Sequence, residues 1–407
     1  MISGTFSHPA LVVPCSSPNA YGVARGLSRV GIHVVALDHT FETPLRYSRL
    51  FKFRLCPDPS DSEDGFVKAL VDIAGEMKEK PIVFPTQDLH TLVLCRNHEE
   101  LAQSVVFSFL DIDVALDCID KRRMYPLAKA AGLCVPETHF PSDPDELLEI
   151  LPSLGRFPYI VKPAAKFEIR AGKLCRNLRF YKTYRTKALR AKNQAELMDR
   201  FSDTWRNGFP TVVQEEIEGP ATNLWAIDFY ATKDSYVTAY HTGHKIRQFP
   251  SDFGTCTLGC SAMRGELVQL CSSLVKMIRF HGIGNVEFKE KNGRLYFLEL
   301  NPRPWQWLHL ATASGVNLPL LAYSDLFRVP VRLSVRQERS VVWVDLRRDT
   351  KHLKLSEGDS ASTERLGLGK WLMSLRSTRI EAMSSLFDPF PLVAMVGGKL
   401  IRRILGK

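Results

Sequence analysis

The sequence lacks the features that mark several large classes of protein. No uninterrupted apolar run reaches the roughly 18 residues that a membrane-spanning helix needs. Its 9 cysteines are scattered singly, without the spacing of a disulfide scaffold or a zinc site. The N-terminus has no charged start followed by a long apolar core, so a secretory signal is not predicted. These absences favour reduced thiols and a cytoplasmic protein.

The sequence also has no basic stripe interleaved with aromatic residues, the pattern expected of a nucleic-acid-binding surface. The net charge of +10 still favours anionic partners, because a positive field attracts them over a distance. A nucleotide or an acidic metabolite is therefore predicted, and no nucleic acid. With 407 residues, 45% of them hydrophobic, the chain is large enough for two or three globular domains. Nothing in the sequence indicates the oligomeric state.

Residues 1–115 are predicted to form a small open parallel α/β sheet, because short apolar strands alternate with amphipathic helices. The first turn lacks the full glycine pattern of dinucleotide-binding proteins. Although Asp38 ends the second strand, where a ribose-binding acid would be expected, NAD binding is disfavoured. The predicted strands are Ala10–Pro14, His33–Leu37, Ile82–Phe84 and Val105–Leu110.

Residues 116–328 are predicted to form an α+β domain with antiparallel strands. Asp120 is the expected N-cap of a helix that runs through Ala131 and ends at Gly132. The other predicted elements are strands at Tyr159–Lys162, Leu178–Thr183, Thr211–Glu216, Leu224–Tyr230 and Tyr236–His241, and helices at Ala195–Trp205 and Glu266–Phe280.

Residues 329–407 differ in composition and are predicted to be a C-terminal extension with a basic amphipathic helix at its end. Such a helix either docks on its own domain, which is favoured, or makes a weak contact with an anionic membrane. The residues that would share the apolar face are Val396, Leu400, Ile401, Ile404 and Leu405, with Lys399, Arg402, Arg403 and Lys407 elsewhere.

The segment Gly284–Pro304 is the most informative part of the chain. Two runs of apolar and aromatic residues flank Asn292-Gly293, a strong signal for a β-hairpin. Alternation along a strand places Glu299 and Asn301 on one face. Whether Glu287 joins them depends on the turn. A strict two-residue loop pairs Glu287 with Leu298, whereas a three-residue loop with a glycine bulge pairs it with Glu299.

Two carboxylates and an amide oxygen on one face would suit Mg²⁺, a hard cation that takes oxygen ligands. Arg303 follows closely and would supply a planar fork of donors for a phosphate or a carboxylate. The alternative is an edge hairpin whose acids are simply solvated.

Two further segments carry groups suited to a nucleotide. Lys162 stands at the exit of an apolar strand, where its ammonium could neutralise phosphate charge. About fifty residues later, the strand Thr211–Glu216 runs into a polar turn whose backbone groups could read the edge of an adenine.

Together with Lys121, these segments resemble the ATP-grasp superfamily, in particular its carboxylate–amine ligases and the large chain of carbamoyl-phosphate synthase. The resemblance covers roughly residues 10–325. It implies ATP as the nucleotide and Mg²⁺ as the metal, with Mn²⁺ as an alternative. The most specific element is the run Glu299-Leu300-Asn301-Pro302-Arg303 with an acid twelve residues earlier.

The resemblance also implies a role for each matching residue. Most belong to the hairpin, the strand ends and the lysines described above, and four lie in the N-terminal domain where they could face a substrate. Lys121 and Lys162 would contact the phosphates, Gln214, Glu215, Glu216 and Ile217 would contact the adenine, and Glu218 would contact the ribose. Glu287, Glu299 and Asn301 would bind the metal, and Arg303 would bind the phosphoryl or carboxylate end. The residues that would face the substrate are Asn19, Arg25, Thr86 and Asp88. Asp88 has the alternative role of a helix N-cap.

Two segments depart from the superfamily pattern. The loop after Lys162 lacks the glycine-serine lid of many relatives, so that coverage of the phosphates would fall to Lys166, Arg170 and Lys173. A second basic loop is predicted at residues 243–250. Lys245 and Arg247 would share a face if this loop were extended, and both are predicted to contact a phosphate or a substrate carboxylate.

The function implied is ATP-dependent ligation of a small-molecule carboxylate and an amine through an acyl phosphate, which releases ADP and phosphate. The base that deprotonates the amine is left open, with His241, His244 and Asp88 as candidates by position. One alternative is another acyl-phosphate enzyme of the carbamoyl-phosphate type. Another is an ATP-binding regulatory or membrane-peripheral scaffold protein.

Overall fold

The computed structural model describes residues 6–108, 111–170, 173–176, 178–353 and 366–396. The predicted terminal helix lies outside these residues beyond Val396, as do the side chains of Arg170 and Lys173. No helix in the described ranges has the length and apolar character to cross a bilayer.

The N-terminal part is the predicted parallel sheet, with strand order β3-β2-β1-β4. The central strand β1 is buried at every residue, as expected when helices cover both faces of a parallel sheet. Residues 109 and 110 of the strand predicted at Val105–Leu110 lie outside the described residues. In the described part, Val106 adds only an isolated bridge to Ile82 and no full strand forms. The elements are β1 (Ala10–Val13), α1 (Pro18–Ser28), β2 (Val34–Asp38), β3 (Lys52–Leu55), α2 (Glu63–Gly75), β4 (Ile82–Pro85), α3 (Asp88–Arg96) and α4 (His98–Leu101).

Two helices, α5 (Ile112–Ile119) and α6 (Lys121–Ala130), connect this sheet to the next part. Asp120 caps α6 as predicted, since its side chain accepts a hydrogen bond from the backbone N–H of Arg122. The cap fixes where the helix starts. Lys121 is therefore the first residue of α6, and its backbone N–H donates to the carbonyl of Ala164 at 2.9 Å.

The middle part contains an antiparallel sheet of order β5-β10-β6-β9 and a separate hairpin, β7-β8. The segment predicted as a strand at Leu178–Thr183 is a helix. Its alternating apolar residues suggested a strand, but Phe180 and Tyr184, four residues apart, both pack on Phe209 with ring centroids 5.5 and 5.8 Å away. The elements are β5 (Thr138–His139), α7 (Pro144–Ile150), β6 (Tyr159–Pro163), β7 (Phe167–Arg170), β8 (Lys173–Arg176), α8 (Leu178–Tyr184), β9 (Leu189–Ala191), α9 (Gln194–Arg206) and β10 (Thr211–Glu215).

The last part is a seven-stranded sheet of order β15-β14-β11-β12-β13-β16-β17. The basic segment predicted as a loop at 243–250 lies almost wholly within the long strand β12. Two strands of the C-terminal extension, β16 and β17, complete the sheet at one edge. The elements are β11 (Leu224–Ala231), β12 (Val237–Phe249), β13 (Thr255–Ser261), α10 (Gly265–Met277), β14 (Gly282–Lys291), β15 (Arg294–Asn301), α11 (Leu308–Ala313), α12 (Leu318–Phe327), β16 (Val342–Val344), α13 (Leu346–Asp349), α14 (Leu368–Ser374) and β17 (Thr378–Glu381).

The hairpin β14–β15 combines features of both predicted turns. Asn292 and Gly293 form a two-residue loop with positive φ angles of 53° and 74°, which matches the twist of the strands. A β-bulge follows further along, where the pairing shifts from Phe288↔Phe297 to Glu287↔Glu299. Leu298 is the extra residue, so that Glu287 lies opposite Glu299 despite the short loop.

Candidate active site

A cavity of about 500 Å³ lies between the antiparallel sheet of the middle part and the seven-stranded sheet. Its size is typical of a pocket for a nucleotide-sized ligand. Strands β6, β10, β12, β14 and β15 all contribute, as do α3 and α6. The predicted residues in its wall are Asp88, Lys121, Lys162, Lys166, Gln214, Glu215, Glu216, Ile217, Lys245, Glu287 and Glu299.

The metal-binding residues proposed in the hairpin lie beside the ammonium of a lysine, Lys166. The ammonium of Lys166 donates to Oδ1 of Asn301 at 2.6 Å and lies 3.3 Å from a carboxylate oxygen of Glu299. It also lies 3.6 Å from Oδ2 of Asp88. Glu287 lies beside a different ammonium, since Nζ of Lys245 is 3.8 Å from Oε2 of Glu287. A bound metal ion would therefore have to take Glu299 and Asn301 from Lys166.

The surroundings shift the pKa values of Glu287 and Glu299 in opposite directions. Burial raises the pKa of Glu287, and the nearby charge of Lys245 only partly opposes this effect. Burial also opposes ionisation of Glu299, but Lys166 and Lys121 hold the pKa of that carboxyl well below its usual range. Perturbed pairs of this kind are common in functional sites.

The donor set fits magnesium in its chemistry, since two carboxylates lie in the cavity wall and the amide oxygen of Asn301 shares the ammonium of Lys166 with Glu299. No group of three or more His, Cys, Asp and Glu side chains in the described ranges could hold a metal unaided. Phosphate oxygens and water would have to supply the remaining ligands, which is the usual arrangement for this ion.

A buried chain of hydrogen bonds orients the amide of Asn301. Its Nδ2 donates to Glu299 at 3.2 Å and to Oδ1 of Asn285 at 3.4 Å. Asn285 in turn donates to Asp228 at 2.9 Å, and Asp228 contacts Nδ1 of His241 at 3.2 Å. Because Nδ2 is committed to these acceptors, Oδ1 is left to accept from Lys166 and from Nη2 of Arg303, 3.5 Å away. Asn301 is fully buried and does not itself line the cavity.

Two of the histidines considered as bases lie away from the reacting groups. His241 is 1% exposed and belongs to the chain of hydrogen bonds behind Asn301. His244 contacts Sγ of Cys260 at 3.2 Å and packs on Trp225 with ring centroids 4.9 Å apart. Neither residue lines the cavity. Their proposed role as bases is therefore wrong on position.

Lys121 and Lys162 converge on one side of the cavity. Nζ of Lys162 donates to the hydroxyl of Tyr125 at 3.3 Å, and Nζ of Lys121 donates to the carbonyl of Pro163 at 3.2 Å. Burial lowers the pKa of both ammonium groups to about 8, and for Lys121 the neighbouring charge of Lys162 adds to the effect. An anion bound between them would relieve this repulsion.

The end of β10 lines the cavity next to β6, its neighbour in the same sheet. Nε2 of Gln214 donates to Thr138 at 2.7 Å, and the carboxylate of Glu216 holds Arg190 through two contacts of 2.6 Å. Glu218 departs from the prediction. Its side chain is 59% exposed, lies 3.8 Å from Lys291 and does not line the cavity. Its neighbours Ile217 and Gly219 line the cavity, but the carboxylate of Glu218 lies outside it, so a contact with the ribose has no support from this position.

Lys245 and Arg247 do not share a face, contrary to the prediction. The pairing of β12 with β13 shifts on both sides of Arg247, so the simple alternation of side chains is broken there. Lys245 and Gln248 line the cavity. Arg247 lies elsewhere, with Nε 2.8 Å from Asp349, which is fully buried, and a second contact to the same carboxylate. Its predicted role at the site is therefore wrong.

Arg303 forms an ion pair with Asp88 of the N-terminal domain. Its Nε donates to Asp88 at 2.7 Å, and its Nη2 lies 3.4 Å from the other oxygen of the same carboxylate. Arg303 and Lys166 lower the pKa of Asp88 although burial opposes this effect. Asp88 is the first residue of α3, while Gln87 is its N-cap. Asp88 therefore lies in the cleft, as the substrate assignment required, and is not a cap.

The other N-terminal candidates differ in position. Asn19 donates to the carbonyls of Thr86 at 3.1 Å and Pro304 at 2.9 Å, which joins the parallel sheet to the segment after the hairpin. The hydroxyl of Thr86 donates to the carbonyl of Pro14 at 2.6 Å. Arg25 is 8% exposed, and its guanidinium lies 5.9 Å from the ring of Tyr21. None of the three lines the cavity.

Three basic residues in the wall escaped the sequence analysis. Lys187 donates to Thr255 at 3.1 Å, and Lys289 donates to the carbonyls of Gly219 and Pro220 at 2.6 and 3.0 Å. Arg190 is held by Glu216 and by Asp252, 3.2 Å away. Each is a single charged residue without a motif. Only Lys289, two residues after Glu287 on the same strand face, carried a usable signal.

Comparisons with known proteins agree with this architecture. Residues 257–346 match a family described as ATP-grasp in the biosynthetic pathway with Ter operon. The chain is 21% identical over 325 residues to a D-aspartate ligase of Enterococcus faecium, which covers 76% of this chain and 75% of that protein. It is 26% identical over 187 residues to the carbamoyl phosphate synthase large chain of Pyrococcus furiosus, covering 46% of this chain and 17% of that protein.

Solved structures share the fold. The N5-carboxyaminoimidazole synthetase of Staphylococcus aureus, complexed with ADP, has a TM-score of 0.62 at 15% identity and covers 85% of this chain and 84% of its own. An L-amino acid ligase of Bacillus licheniformis has a TM-score of 0.58 at 15% identity, covering 83% of this chain and 80% of its own. The chain thus has the ATP-grasp fold, and the predicted resemblance to ATP-grasp carboxylate–amine ligases is confirmed.

Proposed function

We propose that the protein is an ATP-dependent carboxylate–amine ligase that forms an amide or peptide-like bond on a small metabolite and releases ADP and phosphate. The observation that carries this proposal is the pairing of Glu287 with Glu299 in the wall of a cavity that also holds Lys121 and Lys162. Metal-binding acids and phosphate-neutralising lysines are the parts that phosphoryl transfer requires. The likeness to two amino acid ligases supports the same reaction class.

In the proposed complex, Lys121 and Lys162 neutralise the nucleotide phosphates, and the backbone of residues 214–217 reads the adenine. Glu287, Glu299 and Asn301 hold Mg²⁺, or Mn²⁺ in its place, since both ions accept oxygen ligands. Magnesium, when bound, supplies charge stabilisation at the phosphates. Lys245, beside Glu287, is placed to contact the terminal phosphate.

The chemistry proposed for the bound substrates has two steps. An oxygen of the substrate carboxylate attacks the terminal phosphorus of ATP, the bond to the bridging oxygen breaks, and ADP leaves. The nitrogen of the amine then attacks the carbonyl carbon of the acyl phosphate, phosphate leaves, and the nitrogen loses a proton. The first step needs positioning and charge neutralisation rather than a base, because a carboxylate is already a competent nucleophile.

Arg303 and Asp88 are proposed to meet the substrates at the mouth between the N-terminal sheet and the hairpin. Arg303 would exchange part of its contact with Asp88 for the substrate carboxylate or the phosphoryl group, which suits its planar fork. Of the three residues considered as acceptors of the amine proton, Asp88 remains a candidate, since it lines the cavity and neither His241 nor His244 does.

The direct test is incubation of the purified protein with ATP, Mg²⁺ and pooled carboxylic and amino acids, followed by mass spectrometry for an amide product. Chromatography should show ADP, and AMP with pyrophosphate would overturn the acyl-phosphate route. Hydroxylamine supplied as the amine should trap the activated acid as a hydroxamate. Nucleotide binding without any hydroxamate would favour an ATP-binding regulatory protein instead.

A further inference from the structure

A tight turn in the C-terminal extension carries two large apolar side chains that are almost fully exposed. Leu386 is 96% exposed and Phe387 is 83% exposed. The turn is firmly anchored at its base, where Ser385 and Asp388 exchange backbone hydrogen bonds of 3.1 and 3.0 Å. Asp388 is 1% exposed and accepts hydrogen bonds from Ser48 at 2.5 Å and from the backbone of Arg49 at 3.1 Å. The exposure therefore belongs to a fixed part of the fold.

The side chains around this turn are aromatic, apolar and basic. Arg49 lies 4.2 Å from the ring centroid of Phe390, and Arg46 lies 4.5 Å from that of Tyr47 and 5.8 Å from that of Phe41. Helical residues 390–396 continue the patch with two more exposed valines. Two segments, residues 41–49 and 386–396, are joined through the contacts of Ser48 and Arg49 with Asp388 and of Arg49 with Phe390. The set called the Phe387 surface below consists of residues of these two segments: Phe41, Arg46, Tyr47, Arg49, Leu386, Phe387, Phe390, Val393 and Val396.

The charge of the Phe387 surface is positive. Residues 41–49 contain two arginines, Arg46 and Arg49, and one acid, Glu42, which is exposed. From residue 382 to residue 407 the only acid is Asp388, which is buried and already bonded, while four lysines and arginines follow Val396 in the sequence. Basic residues among exposed aromatic and aliphatic side chains are the composition that binds the interface of an anionic bilayer.

We propose that the Phe387 surface docks the protein on an anionic phospholipid bilayer. Leu386 and Phe387 enter the boundary between headgroups and acyl chains, and Arg46 and Arg49 contact lipid phosphates. A second copy of the chain fits less well. In a two-fold dimer the same patch would meet itself, and the arginines of both copies would be brought together without matching acids.

The test is cosedimentation of the full-length protein with vesicles of phosphatidylcholine alone or mixed with phosphatidylserine. Binding is expected only with the anionic lipid and should weaken as salt is added, because screening shortens the reach of the charges. The double variant Leu386→Ser, Phe387→Ser should lower the partition coefficient about tenfold or more, since it removes two apolar side chains from the interface. Arg46→Gln with Arg49→Gln should abolish the preference for anionic lipid.

A matched control is the double variant Leu148→Ser, Tyr236→Ser, which removes two side chains that are 59% and 63% exposed elsewhere on the protein. It should bind vesicles as the parent does. The proposal is overturned if the parent binds neither vesicle, or if the turn variant binds as well as the parent. It is also overturned if sedimentation shows a dimer of the parent that the turn variant converts to a monomer, which would assign the surface to a second copy.

Discussion

Two of the irregularly paired strands in the seven-stranded sheet, β14–β15 and β12–β13, have opposite effects on the site. In β14–β15 the bulge at Leu298 brings Glu287 opposite Glu299, so that two acids meet across the strands. In β12 the irregular pairing around Arg247 separates it from Lys245. Irregular pairing thus brings the proposed metal-binding acids together in one place and keeps Arg247 away from the cavity in another. The comparison teaches that bulges decide which charged residues act together here.

The largest effect is expected where the hairpin bulge assembles the metal wall. Glu299→Gln removes a carboxylate and should lower turnover about a thousandfold, because charge stabilisation of several kcal/mol is lost. The measurement is steady-state turnover at saturating ATP and metal.

Glu290→Gln is the matched control for that variant. Glu290 belongs to the same hairpin but pairs with Arg264 at 2.5 Å and with Trp225 at 3.2 Å, outside the cavity. Near-normal turnover of Glu299→Gln at limiting Mg²⁺ would show that the hairpin is not the metal site.

The second prediction separates the two residues that the bulge in β12 divides. Arg247→Met leaves the carboxylate of Asp349 buried with only Trp371 and other neutral donors, at a cost of about 3–5 kcal/mol in the free energy of unfolding. Turnover per folded molecule should stay unchanged. Lys245→Met should do the reverse and lower turnover with little loss of stability.

Denaturant titration and turnover of both variants provide the measurement. The comparison fails if Arg247→Met folds with parental stability yet loses turnover, because Arg247 would then act at the site despite its contact with Asp349. Loss of stability in both variants would leave Lys245 a structural residue and remove it from the proposed phosphate contact.

The third prediction concerns the arginine that follows the hairpin. Arg303→Lys keeps the charge but loses the planar fork that holds two oxygens of Asp88 and, as proposed, of the substrate. Turnover should fall about a hundredfold, comparable to the loss of one preorganised donor, while ATP affinity by calorimetry stays unchanged. Parental turnover of the lysine variant would make Arg303 a structural link to α3.

The sequence predicted the sheets better than the local irregularities. The strand Ala10–Val13 carries a continuous apolar run, and the Asn-Gly loop marks the hairpin. The bulge at Leu298 has no such signal, because nothing in its residue type distinguishes it from a regular strand position. Helix α8 was mistaken for a strand because its packing partner, Phe209, lies far away in sequence. Tertiary contacts determine both features.

Site residues were predictable where a motif carried them and unpredictable where only the fold does. The run Glu299–Arg303 predicted the proposed metal ligands and the arginine beside them from spacing, and Glu299 lines the cavity. Lys166 was considered only as a cover for the phosphates, and its contacts with Asn301 and Asp88 join three separate parts of the chain. Arg190 lies on β9 of the antiparallel sheet, Lys187 lies between α8 and β9, and both line the cavity. No short-range pattern records such convergence.

The smallest expected effect tests Lys166 as a competitor for the wall that the hairpin bulge assembles. Its ammonium holds Asn301 at 2.6 Å and Glu299 at 3.3 Å, and its side chain is 26% exposed. A metal ion binding without nucleotide must displace this ammonium, and a partly exposed ion pair is worth about 1 kcal/mol. Lys166→Met should therefore raise the affinity for Mn²⁺ alone about fivefold, measured by electron paramagnetic resonance of the free ion. Lys289→Met, which loses an ammonium bonded to backbone carbonyls in the same cavity, should leave this affinity unchanged. An unchanged or weaker affinity in Lys166→Met would mean that the lysine does not compete with the metal, and that Glu299 and Asn301 are organised for it from the start.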